Sequence, residues 1–114
     1  MVSTGNPTAC SDLIKDNIDF EFFRALFDPV RAEILVYLVS NGKRNIKDIA
    51  ENFSQDRSVI SRHLDLMYRF RIVHKFKDNR NIYYEADQIY VVDKFDQTSE
   101  NIKTLLSLAA TLKE

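Results

Sequence analysis

Residues 45–70, NIKDIAENFSQDRSVISRHLDLMYRF, hold two helical patterns separated by a tight polar turn. In the first, Ile46, Ile49, Ala50 and Phe53 form one apolar stripe of about two turns, and Asn45 stands where a capping side chain is needed. Ser54 and Gln55 supply the turn, and Asp56 is placed to cap a second helix over 57–70. On that helix Ile60, Leu64 and Met67 share an inner stripe, whereas Arg57, Ser58, Ser61, Arg62 and Asp65 occupy the opposite face by the same 3.6-residue period. His63 falls beside Leu64 at the edge of the stripe, the place of a packed, hydrogen-bonded histidine rather than of a ligand or proton sensor.

Upstream, Asp28-Pro29 is a helix start with a mechanism: Asp accepts from unpaired N–H groups, and Pro at the first helical position has none to leave unpaired. A helix over 29–40 buries Ile34, Leu35 and Leu38, with Val39 at the edge of that face, and Asn41-Gly42 ends it. Before it, Leu13, Ile14, Ile18, Phe22, Phe23, Leu26 and Phe27 read as one helix over 12–27, and residues 1–11 read as a polar tail. Downstream the period becomes extended in 72–77 and 82–85, with 78–81 as the turn. A long amphipathic helix starts near Asp87, although Tyr90-Val91-Val92 could instead prolong the strand.

Composition bounds what such a chain can be. Its 114 residues suit one domain over 12–114, and 45% hydrophobic with 29% charged residues is ordinary for a folded protein. Two Gly and two Pro disfavour a turn-dense sandwich or barrel, so the fold class expected is mainly α (α+β). A lone Cys10 excludes an intrachain disulfide. No apolar run approaches the roughly 18 residues of a membrane span, and the first residues lack a basic start followed by a hydrophobic core, so a soluble cytoplasmic protein without membrane association is expected. The net charge of −1 hides an asymmetry. Across 57–80, Arg57, Arg62, Arg69, Arg71, Lys75, Lys77 and Arg80 face only Asp65 and Asp78, a local +5, while the remainder carries −6. Such a chain attracts a polyanion with one face and repels it elsewhere.

The order α-α-α-α-β-β-α is that of a winged helix-turn-helix regulator. Asp28-Pro29-Val30-Arg31 with Ile34-Leu35, Ile49-Ala50-Glu51, Val59-Ile60-Ser61-Arg62-His63-Leu64 and Ile82-Tyr83-Tyr84, in that order and spacing, resemble the ArsR/SmtB family of bacterial repressors over 23–84. The resemblance implies a homodimer that binds a double-stranded DNA operator and releases it when an inducer binds. It makes the helix beginning at Arg57 the recognition helix, with Arg57, Ser58, Ser61 and Arg62 nearest the bases. Arginine can donate twice to guanine and serine can donate or accept, so the chemistry of that face agrees. Lys77, Asn79 and Arg80 would be the wing contacts, with Lys75 a weaker candidate.

The chain departs from the family at Gln55, where an apolar residue is usual, at Arg71, where Gly usually follows the helix, and at Asp65, where Lys is common. An acidic group there would be repelled by phosphate.

Metal-sensing relatives carry a Cys pair near the third helix, or His and carboxylate ligands on the last helix. Here 45–49 has no thiolate and no His follows His74, so no metal site for soft ions and no cofactor is expected. Asp93, Asp96 and Glu100 could share a helix face as hard oxygen donors, but a solvated acidic face is the ordinary reading. Cys10 offers only an intersubunit disulfide, and an apolar ligand near Phe20, Phe22, Phe23 and Phe27 is an alternative to plain core, which leaves a small-molecule or redox inducer open. Dimer-interface residues are expected to be Ile14, Ile18 and Phe22 of the first helix, with Ile102, Leu105, Leu106, Ala109 and Leu112 of the last. The rival function is a winged-helix module that binds another protein, against which the clustered arginines argue. Catalysis has no support, because neither a nucleophile–base arrangement of recognisable context nor a glycine-rich phosphate loop is present.

Overall fold

A computed structural model describes the backbone of residues 7–113 and the side chains of residues 11–111. Its elements are α1 (Pro7–Asn17), α2 (Phe20–Leu26), α3 (Pro29–Asn41), β1 (Arg44–Asn45), α4 (Ile46–Glu51), α5 (Arg57–Arg69), β2 (Val73–Asp78), β3 (Asn81–Ala86) and α6 (Gln88–Lys113). The chain divides into two compact units, Phe22–Val91 and the pair Met1–Glu21 with Val92–Glu114. No described helix is long and apolar enough to cross a membrane.

Within Phe22–Val91 the core is built from Ile34 and Leu38 of α3, Ile49 of α4, Ile60, Leu64 and Met67 of α5, and Ile72, Val73 and Tyr84 of the hairpin, with Phe22, Ala25 and Leu26 of α2. The capping chemistry foreseen around α3 and α4 is present. Asp28 accepts from the N–H groups of Val30 and Arg31, both at 3.1 Å, and Gly42 closes α3 at φ 76° with its N–H on the Leu38 carbonyl. Asn45 accepts from the Asp48 N–H at 2.8 Å. At Tyr90-Val91-Val92 the helical alternative holds: these residues belong to α6, which Asp87 caps through the Tyr90 N–H at 3.1 Å. The same carboxylate lies 3.1 Å from Nε2 of His74 on β2.

Three expectations change. The helix expected over 12–27 is two helices, broken at Ile18-Asp19: Asn17 turns its side-chain amide back onto the Leu13 carbonyl, a terminating contact, and Phe20 opens the next helix. Asn17 and Asp19 were the legible signals, since short polar side chains favour helix ends over interiors. The helix also starts at Pro7, inside the segment expected as a tail, and of that tail residues 1–6 lie outside the described residues, as does the side chain of Cys10. Thirdly, Arg44-Asn45 forms a short strand, so the sheet has three antiparallel strands in the order β1-β3-β2, with Arg44 opposite Tyr84 and Val73 opposite Ala86. Two residues are too few to show a period in sequence.

The end of α5 explains the departure at Arg71. Arg71 adopts φ 62°, the Ile72 N–H bonds the Met67 carbonyl at 2.8 Å and the Arg71 N–H bonds the Tyr68 carbonyl at 3.1 Å. That pair of reversed bonds is a Schellman motif, with buried Ile72 and Met67 as its apolar pair. A glycine is the unstrained residue there; the arginine instead sets its guanidinium 4.1 Å from the centre of the Tyr90 ring. We therefore expect Arg71→Gly to be more stable than Arg71→Ala by about 1 kcal/mol in urea unfolding, because both lose the ring contact and only glycine relieves the left-handed backbone.

Tyr84, 2% exposed, has its phenol pKa raised above the usual 10.0, first by burial and then by the nearby Asp65 carboxylate. A raised value means that the unfolded chain loses this proton first. The contribution is thus constant below pH 10.0 and declines as the pH rises from there through the folded-state value. Tyr84→Phe should lessen the alkaline fall in unfolding free energy, measured from about pH 9 upward.

Candidate nucleic-acid interface

α4 ends as the N–H groups of Asn52 and Phe53 turn back onto the Ile49 and Ala50 carbonyls, and the chain reaches α5 across 52–56. Asp56 holds the N-cap position in extended conformation, yet its side chain makes no capping bond; its carbonyl accepts the first helical bonds from Val59 and Ile60. Ile60, Leu64 and Met67 are each 0% exposed, so the rotation of α5 is set. Arg57, Ser58 and Arg62 are exposed on its outer side, and Ser61 is half-buried there.

His63 is half-buried and bonded rather than free. Nη1 of Arg31 lies 3.1 Å from its Nδ1, and Nε of Arg31 donates to the Ala25 carbonyl at 2.6 Å. A guanidinium only donates, so Nδ1 accepts and the imidazole carries its proton on Nε2. The arginine thereby ties α3 to the ends of α2 and α5's inner edge, the packed role expected of His63.

β2 and β3 pair from Val73–Ala86 to Asp78–Asn81, leaving a two-residue loop of Asn79 and Arg80. Asn79 takes φ 57°, and a positive φ at the first loop position suits such a hairpin and is tolerated by Asn. Lys77, Asn79 and Arg80 are all exposed. Lys75 behaves differently: it lies 3.9 Å from the Asp65 carboxylate and 5.6 Å from the centre of the Tyr68 ring, both on α5. Asp65 is thus turned toward a strand cation, an answer to the repulsion anticipated for it.

The geometry also brings in a residue that the sequence did not single out. Lys47 of α4 joins Arg57 of α5 and Arg80 of the wing around one cleft of about 220 Å³, whose lining also includes Asn45 and Asn81. Lys47 lies ten residues before the basic stretch that begins at Arg57, and the packing of α4 against α5, β1 and β3 joins it to that stretch. Among the described residues no group of three or more His, Cys, Asp or Glu is disposed to hold a metal ion.

The expected interface residues are scattered in their placement. Ile14, Ile102 and Leu106 are exposed, as is Ala109, whereas Ile18 and Leu105 are half-buried. Phe22 is 1% exposed within the chain's own core, with its ring edge-on to Phe23 and Tyr90, and so offers no surface to a partner. A helix stripe read from sequence does not say whether it is covered from inside or outside the subunit. The side chain of Leu112 lies outside the described residues.

Comparison with known proteins agrees with this architecture. Residues 28–75 match the family model described as bacterial regulatory protein, arsR family. The transcriptional repressor SdpR of Bacillus subtilis (strain 168) is 30% identical over 74 residues, covering 65% of this chain and 81% of SdpR. An ArsR-like transcriptional regulator from Rhodococcus sp. RHA1 superposes with a TM-score of 0.54 at 25% identity, over 82% of this chain and 80% of its own. NolR from Sinorhizobium fredii, at 24% identity, shares the fold with a TM-score of 0.62 over 82% of this chain and 90% of its own. With a capped helix-turn-helix, a basic hairpin and these relatives, the chain belongs to the ArsR family of bacterial transcriptional regulators, winged helix-turn-helix proteins that bind DNA.

Proposed function

We propose that this regulator is a sequence-specific repressor that acts as a homodimer on an inverted-repeat operator and is released by an inducer other than a soft metal. The observation that carries the DNA reading is the outer face of α5: Arg57, Ser58 and Arg62 stand exposed on a helix whose opposite side is wholly buried, beside the exposed wing residues Lys77, Asn79 and Arg80. In this reading Arg57, Ser58, Ser61 and Arg62 meet base edges in the major groove, and the wing meets backbone or minor groove. Arg62→Ala should then cost about 1–3 kcal/mol on the preferred site and relax its sequence preference, whereas Arg80→Ala weakens all duplexes alike. Titration of a duplex from the chain's own upstream region, alongside a shuffled one, checks this. Equal binding by the wild type and the Arg57/Arg62 double alanine variant would remove the recognition-helix assignment and favour a protein-binding module.

The dimer reading rests on apolar surface left on the terminal helices. Ile14, Ile102 and Leu106 keep 42%, 40% and 64% of their surface exposed, and Leu13 and Leu108 add to this. Ala109 and the half-buried Ile18 and Leu105 belong to the same proposed interface, as does Leu112, with Phe22 left out. Two-fold pairing would set the recognition helices about 34 Å apart, one turn of DNA. Placing Asp at both Ile102 and Leu106 should yield monomers with much weaker operator binding. Light scattering at micromolar concentration gives the mass: one subunit for the unmodified chain, with tight operator binding retained, contradicts the model.

A further inference from the structure

Lys47, Arg57 and Arg80 come from three different elements, α4, α5 and the hairpin loop, and line one cleft together with Asn45 and Asn81. No carboxylate belongs to that lining. Among the described residues none of the three cations makes an ion pair or a side-chain hydrogen bond. Several other cations of the same unit do have neighbours: Lys75 has Asp65 and Tyr68, Arg31 has His63 and Ala25, Arg71 has Tyr90, and Lys43 sits over the rings of Phe76 and Tyr83; what sets Lys47, Arg57 and Arg80 apart is that they share one cleft. Three unneutralised cations around one concavity repel one another, and an anion seated between them removes that cost.

The amides at the cleft supply neutral donors. Asn45 uses its Oδ1 to cap α4 through the Asp48 N–H, which leaves its Nδ2 as the remaining polar group. Asn81 stands in the register opposite Asp78 at the start of β3. Cationic and amide donors without an acceptor of negative charge are the donor set that phosphate oxygens take.

We infer that this cleft is a phosphate clamp: Lys47, with Arg57 and Arg80, holds one backbone phosphate of the bound duplex and fixes the depth at which α5 enters the groove. This rests on the DNA-binding reading above and adds to it a contact from α4. Lys47 carries no base recognition here. Its charge acts on any sequence, while Arg57 spans the boundary between clamp and base-reading face.

The test is the salt dependence of binding, with duplexes of the chain's own upstream region and of shuffled sequence, for the wild type and the variants Lys47→Ala, Lys47→Arg and Lys103→Ala. Each phosphate contact contributes about 0.9 to the slope of log affinity against log salt. Lys47→Ala should lower that slope on both duplexes by up to about 0.9 per protomer, since Arg57 and Arg80 keep part of the contact, so that the loss between about 50 and 200 mM salt becomes up to about 3-fold smaller per protomer. Lys47→Arg should restore it, and Lys103→Ala, an exposed cation beside Glu100 on α6, should leave it unchanged. Thermal unfolding of each variant separates lost binding from lost folding.

An unchanged slope in Lys47→Ala overturns the clamp while leaving the recognition helix standing, whereas a wild type that binds neither duplex overturns the DNA reading itself. A loss confined to the upstream duplex makes Lys47 a base-reading residue and also overturns the clamp. Calorimetry with inorganic pyrophosphate at millimolar concentration tests the other source of phosphate. Heat of binding that disappears in Lys47→Ala, with the duplex slope unaltered, identifies a free-anion site and overturns the backbone assignment.

Discussion

Burial of Ile60, Leu64 and Met67 on one side of α5 is the constraint on which the rest depends. Each such side chain stabilises the fold by roughly 1.5–3 kcal/mol relative to exposure. Turning α5 about its axis to present any other face would expose that stripe and bury arginine. The outer face is therefore fixed by what the inner face loses to water, and the direction in which Arg57 and Arg62 point follows from apolar packing rather than from their own charge. Ile34 and Leu38 of α3, Ile49 of α4 and Ile72 and Val73 after α5 complete the same core.

The connection after α5 keeps the wing in a fixed relation to that helix. The Schellman bonds from Ile72 and Arg71 reverse the chain within two residues, so β2 starts directly beside the helix it leaves. Asp87 works at the other end of the hairpin, where its side chain caps α6 and meets His74, while its N–H bonds the Ile72 carbonyl at 2.9 Å. Strand entry and strand exit are thus joined at Ile72. The left-handed Arg71 is the strained element in this corner, and stacking on Tyr90 offsets part of its cost.

Electrostatics follow the same division between inner and outer surfaces. The whole chain carries a net charge of −1, yet Arg57 and Arg62 stand exposed on the side opposite the α5 stripe, and Lys77 and Arg80 stand exposed at the wing. Asp65, the one acid on the outer part of α5, has Lys75 at 3.9 Å. A pair this exposed contributes little stability, but it reduces the repulsion that a lone carboxylate would direct at phosphate.

By itself, the sequence determined the helix-turn-helix, because its evidence is local: a 3.6-residue stripe in 57–69, an Asp-Pro start at 28–29, a glycine end at 42 and an asparagine cap at 45. Each is decided within a few residues of backbone, so neighbours in sequence suffice. The exposed residues proposed for DNA contact were legible for the same reason, as the complement of a stripe. Tertiary structure alone decided what lies opposite each face. It drew Phe22 into the subunit's own core, paired Arg44-Asn45 with β3, turned Lys75 toward Asp65, and brought Lys47 into one cleft with Arg57 and Arg80. Periodicity specifies that a side chain points inward or outward, but which surface meets it depends on contacts between segments far apart in the chain, and those are fixed only when the core closes.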